Sequence, residues 1–354
     1  LTNGNFVATV TYFDGDETIN VGDSTVNSIS GIGSSIISGF DGTGRIFGGQ
    51  DANVLTIHSA AGNTGADAYE FSGDFYRADS GTDSTDLTII KTGTGDQILS
   101  GNLNLADSDS TSASGGLNIS AGKLILKPAS GTPNKQQTVE YLTGSGTLSL
   151  DNSGVSTDTI VTLGFANTSS STFSGNVELS GGNTAHKISI SSSATGYDKE
   201  QVIAGTITGD NAGKTLVKDG AGILTLHGDS SSSMTAGIQV ENGTLVIGDG
   251  SDAGADPGTG TITINKGKLE IAASETIDNA INTANSGKSM LGGKGTLDRA
   301  VTIGSADDLN YVDVISPGSG ISSSLSSTSS KQQVSLGDRT NAIGTFTISD
   351  TLTL

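Results

Sequence analysis

Gly222-Ile-Leu-Thr-Leu226, Gly243-Thr-Leu-Val-Ile247 and Gly267-Lys-Leu-Glu-Ile271 write one pentad three times at nearly even intervals. Each puts apolar side chains at alternate positions behind a glycine. Alternation with a period of two is the signature of a strand with one face buried. The leading glycine supplies a turn, or a close backbone approach that a Cβ would obstruct. The same word recurs at Gly101-Asn-Leu-Asn-Leu105, Gly115-Gly-Leu-Asn-Ile119, Gly122-Lys-Leu-Ile-Leu126 and Gly146-Thr-Leu-Ser-Leu150. It returns at Gly175-Asn-Val-Glu-Leu179, Gly260-Thr-Ile-Thr-Ile264 and Gly344-Thr-Phe-Thr-Ile348.

Short strands and turns repeating every roughly 22 residues fit the coils of a solenoid, in which each coil buries its apolar edge only against its neighbours. The expected fold is all-β, a parallel β-helix with loops of variable length. Inward Leu, Ile and Val then stack in columns at the spacing of neighbouring strands, about 4.8 Å, and outward Thr, Ser and Asn form ladders. A β-sandwich expects hairpin turns and bulkier core residues, often a buried Trp. Trp is missing, and Asn-Gly occurs only at Asn3-Gly4 and Asn242-Gly243. A calcium β-roll expects consecutive Gly-Gly-x-Gly-x-Asp nonapeptides. Gly48-Gly49-Gln50-Asp51 is a single hint of one.

Composition agrees. Of 354 residues, 52 are Gly and only 4 Pro, and aromatics make up 4 %. Such a chain resembles low-complexity disorder in bulk, but disorder gives no reason for ordered pentads. Net charge is -20, with 17 Lys and Arg that form no run. A phosphate-binding surface is therefore missing, and nucleic acid is excluded as a partner. Zero Cys excludes disulfides and thiol chemistry. No stretch reaches the ~20 apolar residues of a membrane-spanning helix. Leu1 opens directly on Thr, Asn and Gly, with no leader pattern, which reads as a processed chain or an excised segment.

The first part of the chain differs in texture. Nine of the fifteen Phe and Tyr fall before residue 86, and the pentad is missing there. Residues 1–85 are thus expected to form a cap or irregular first coils, and residues 86–354 the repetitive coils. Bulky strands such as Phe6-Val-Ala-Thr-Val-Thr-Tyr-Phe13 would close an exposed sheet edge. The same aromatics could instead form a recognition surface.

Signals for catalysis are sparse. Among three His, His227 precedes Gly228-Asp-Ser230. A serine triad, however, needs nucleophile, base and orienting carboxylate together, and no Gly-x-Ser-x-Gly is present. Gly209-Asp-Asn-Ala-Gly-Lys-Thr215 and Asn285-Ser-Gly-Lys-Ser289 each fall short of a phosphate loop, without the strand and helix that one requires. β-Helix lyases and hydrolases gather carboxylates in a groove. Here Asp14, Asp16, Glu17 and Asp23 form one acidic patch, and Asp249, Asp252 and Asp256 another. The second set is the candidate calcium site, since hard oxygen donors suit Ca²⁺. No other cofactor and no catalytic residue is expected.

Thr215-Leu-Val-Lys-Asp-Gly-Ala-Gly-Ile-Leu-Thr-Leu226, followed by Val240-Glu-Asn-Gly-Thr-Leu-Val-Ile-Gly248, resembles the passenger-associated transport repeat of autotransporters. That repeat reads loosely as Lys-x-Gly-x-Gly-x-Leu-x-Leu, then a Gly-Thr-Leu strand. Ile90-Lys-Thr-Gly-Thr-Gly-Asp-Gln-Ile-Leu-Ser-Gly-Asn102 looks like another copy, and Gly292-Gly-Lys-Gly-Thr-Leu297 and Ile315-Ser-Pro-Gly318 are similar to the last coils of such passengers. The resemblance implies a right-handed parallel β-helix, exported through the outer membrane and held extracellularly at the bacterial cell surface, most often as an adhesin or stalk. The sequence departs from the family in lacking the long, aromatic-girdled strands of an outer-membrane barrel, so the anchoring device stays open.

Three functions follow as expectations. The first is a non-enzymatic adhesin or stalk whose partners are a host or neighbouring-cell surface, a glycan or a matrix. The second is a self-assembling subunit of a fibre or surface layer, because unpaired strand edges at the end of a β-helix can pair with another copy. The third is a polysaccharide-active enzyme.

Overall fold

In a computed structural model, the described residues are 19–21, 35–42, 45–47, 53–76, 87–105, 115–127, 136–153, 161–165, 170–181, 185–190, 200–209, 214–251, 253–283, 289–299, 301–302, 314–317, 347–349 and 352–353. Phe6 to Phe13, the patch at Asp14 to Asp23, and Asp252 lie outside them. Among the described residues there are only strands and one short 3-10 turn, Gly65–Asp67. Every strand pair given in register runs parallel. The chain is a parallel β-helix, as the pentads predict.

Two compact units divide it, residues 1–186 and 187–354. In the first, each coil contributes three strands to three faces. Leu87–Thr92, Asp96–Leu99 and Leu103–Asn104 make one coil; Gly116–Ile119, Lys123–Leu126 and Gln136–Val139 make the next. The turn between faces serves as the crossover that parallel strands need. The ladder already includes Ser35–Ser38 and Asn53–His58, which pair with each other and then with Leu87–Thr92. Leu55, Ile89, Leu117 and Leu142 stand in one column, at most 3 % exposed. Phe71 and Phe75, both buried, meet edge-on with ring centroids 5.0 Å apart, filling one corner.

The second unit is more regular. Leu224, Leu245, Leu269 and Leu291 share a register, and the intervals between them match the spacing of the pentads. The first three have no exposed surface and Leu291 has 4 %. Burial of one such side chain contributes about 2 kcal/mol. A second column runs Leu216, Ile238, Ile262, Ile281. Coils of the first unit are longer, as the step from Leu55 to its partner Ile89 shows.

Outward positions carry polar ladders. Ser149 donates to Ser180 at 3.0 Å, and Lys123 reaches Glu178, two coils on, at 2.7 Å. The half-buried Lys123–Glu178 pair contributes little by itself, about 0–1 kcal/mol.

Candidate functional site

Besides inward glutamines such as Gln97 and Gln137, two inward strand positions carry a lysine. In Leu87–Thr92 the inward series reads Leu87, Ile89, Lys91, and in Leu216–Asp219 it reads Leu216, Lys218. Lys91 stacks between Ile57 and Ile119, and Lys218 next to Val240. Neither lysine has exposed surface. Each stem runs along the core, and each ammonium ends at a glycine-rich corner. Lys91 Nζ donates to the carbonyls of Thr92, Gly93 and Ala121 at 2.7, 3.1 and 3.3 Å. Lys218 Nζ donates to those of Asp219, Gly220 and Asn242 at 2.9, 2.8 and 2.9 Å. An ammonium has three N–H donors and no acceptor, so three carbonyls use it fully. Two of the three belong to the lysine's own corner and the third to the next coil.

The corner backbone makes this cage possible. Gly122 and Gly243 stand over the two cages with φ of +65° and +70°. A Cβ at Gly122 would lie 2.4 Å from the Gly93 carbonyl oxygen and 2.9 Å from Lys91 Nζ; at Gly243 the matching distances, to Gly220 and Lys218, are 2.3 and 2.8 Å. Only glycine meets both the conformation and the space. Burial pushes the Lys91 ammonium down to about 8, with Asp96 pulling the other way. It pushes Lys218 down to about 7, against Asp219. Asp219 is itself held low, in spite of burial, by bonds from Asn242, Gly220 and Lys187.

The acidic loop is organised locally. Asp249 accepts the Ser251 N–H at 2.8 Å and its hydroxyl at 2.6 Å, and Asp256 accepts the Gly258 N–H at 2.7 Å. Burial raises the Asp256 pKa, and Asp229 and Asp278 on the flanking coils add to the rise. Among the described residues no group of three or more His, Asp and Glu could hold a metal ion, and Asp252, the third member of the candidate calcium set, lies outside them. The residue that ties the loop down was not anticipated. Glu275, 2 % exposed, accepts the N–H groups of Gly254 and Ala255 at 3.0 and 3.1 Å from one coil further on.

The histidines are dispersed. His58 is exposed and bonds Thr92 at 3.1 Å; His186 is buried against the Ser180 carbonyl at 2.8 Å. His227 Nε2 lies 3.6 Å from Asp249. The Ser251 hydroxyl binds that same Asp249, so the carboxylate stands between hydroxyl and imidazole. A serine triad needs the imidazole in the middle, as base to the hydroxyl. In the two phosphate-loop near misses, residues 210–213 and 285–288 lie outside the described residues.

The passenger-associated-transport-repeat family matches residues 89–126 and 216–247. Each matched segment opens in the strand that carries a caged lysine and ends with the strand that follows the glycine over the cage. No curated protein and no solved structure matches the chain. One match to the passenger-associated-transport-repeat family therefore lies in each of the two units of this chain.

Proposed function

We propose that this chain is the exported, non-enzymatic part of a bacterial surface protein, an adhesin or stalk whose outward ladders and loops meet another cell, a glycan or a matrix. The transport repeats imply export to the cell surface. The observation that carries the rest is how the polar groups are used. Lys91, Lys218 and Glu275 bind backbone across adjacent coils, and Asp249 is taken up by its own turn. These are bonds that hold a scaffold, and they leave the groups sought for hydrolysis apart or in the wrong order.

Two assays on the purified chain test this reading in parallel. Surfaces coated with the chain are scored for retention of bacterial and host cells and of arrayed glycans, and polysaccharides are scored for new reducing ends. Adhesion without cleavage is expected, and it persists in Asp249→Asn and His227→Ala. Reducing ends that appear with the wild type and vanish with Asp249→Asn overturn the reading in favour of an enzyme.

A further inference from the structure

The cage over Lys218 demands glycine at position 243, and the residue in front of it is Asn242. In the first repeat the equivalent pair is Ala121 and Gly122, so the cage itself needs only the carbonyl of the preceding residue. Asn242 is exposed. Among the described residues no acceptor takes the N–H of Gly243, and the missing Cβ removes the main obstacle to approach by its nitrogen. The Asn242 side-chain amide donates to Asp219 at 2.7 Å, and Asp219 also takes the Gly220 N–H at 2.8 Å and Lys187 at 3.1 Å.

We propose that Asn242 and Gly243 form a self-modifying site, where spontaneous ring closure converts the asparagine to aspartate or isoaspartate and loosens the caged corner. The Gly243 nitrogen gives up its proton to solvent base and bonds to Cγ of Asn242. The Cγ–Nδ2 bond breaks, and the amide nitrogen leaves as ammonia. Water then opens the cyclic imide at one of its two carbonyls, with no change of oxidation state.

Either product disturbs the cage. Aspartate sets a second carboxylate where the amide now donates to Asp219, and like charges at that distance repel. Isoaspartate lengthens the backbone by one carbon and turns the carbonyl held by Lys218 into a free carboxylate, shifting Thr244–Ile247 against Ile223–Leu226, with which it pairs. The modification thus acts as a clock on one corner of the second unit. The first unit, with Ala121 at the matching place, has no such clock in its cage.

The test is peptide mapping of the full chain aged in mildly alkaline buffer, folded or unfolded in urea, with melting curves on fresh and aged samples. The folded chain is expected to gain the mass of an amide-to-acid change at position 242, with isoaspartate present, at a rate of the same order as the unfolded chain. The aged wild type is expected to melt below the fresh one, whereas Asn242→Ala melts alike before and after ageing. Conversion confined to the unfolded chain overturns the proposal. So does a folded chain that converts at position 242 with no shift in melting.

Discussion

Lys218 Nζ lies 2.9 Å from the carbonyl oxygen of Asn242, a residue of the next coil, and Lys91 stands in the same relation to Ala121 at 3.3 Å. Among the described residues, the carbonyls of Gly93, Ala121, Gly220 and Asn242 have no bonded donor besides the lysine. The two segments that match the transport-repeat family are therefore one physical device used twice. A buried ammonium gathers carbonyls that the turn cannot satisfy by itself, and in doing so it joins one coil to the next.

The glycine above each cage is the first place to test this. Gly122→Ala and Gly243→Ala each force a Cβ against a carbonyl oxygen in a left-handed conformation. A loss of about 1–3 kcal/mol or more is expected in urea unfolding. Gly62→Ala, where nothing lies within 4 Å, is expected to stay within about 0.5 kcal/mol of the wild type.

Stability should depend on pH through Lys218. Its value falls from 10.5 to about 7 on folding. Between those limits the unfolded chain holds a proton that the folded chain has shed, so stability rises with pH across this window and the gain is lost as pH falls toward 7. The slope attributable to this group is at most about 1.4 kcal/mol per pH unit. Unfolding free energies measured across the window should rise less steeply in Lys218→Met; equal slopes would contradict the assignment.

Glu275 makes a separate prediction. Its carboxylate is the acceptor for two loop amides, so Glu275→Ala leaves both without their partner. A loss of about 1–3 kcal/mol is expected, with faster hydrogen exchange at Gly254 and Ala255 than at the column residue Leu245. Unchanged exchange at those two amides would show that the loop is held by something else.

The columns themselves predict a contrast along one strand. Leu245→Ala opens a cavity between Leu224 and Leu269 and is expected to cost about 2–5 kcal/mol. Val246→Ala, on the half-buried outward side, should cost less than half as much in the same unfolding assay.

The solenoid was legible because its pentads put Leu224 and Leu226, Leu245 and Ile247, and Leu269 and Ile271 on one parity, and that parity is buried. The interval from one pentad to the next is the coil. The inward placement of Lys91 and Lys218 follows from the same alternation, Leu87-x-Ile89-x-Lys91, but a charged residue at an apolar parity reads as the end of a strand. What accommodates it is a set of corner carbonyls, and backbone acceptors leave no mark in side-chain composition. The acidic loop was visible as Asp249, Asp252 and Asp256, whereas its fastening was not. Glu275 lies far along the chain from Ala255, and nothing short of coil stacking brings the two together. Coil length in the first unit was also hidden, because the chain between strands carries no period.

The cage is tested most directly by urea unfolding of Lys91→Met and Lys218→Met beside Lys266→Met at neutral pH. Methionine keeps an unbranched, apolar stem and removes every donor, while Lys266 is exposed and serves as the reference. Each caged lysine is predicted to cost about 2 kcal/mol or more when replaced, because carbonyls of two coils lose their donor together. If both variants are as stable as Lys266→Met, or more stable, the ammonium does not join the coils and the account of the repeat fails.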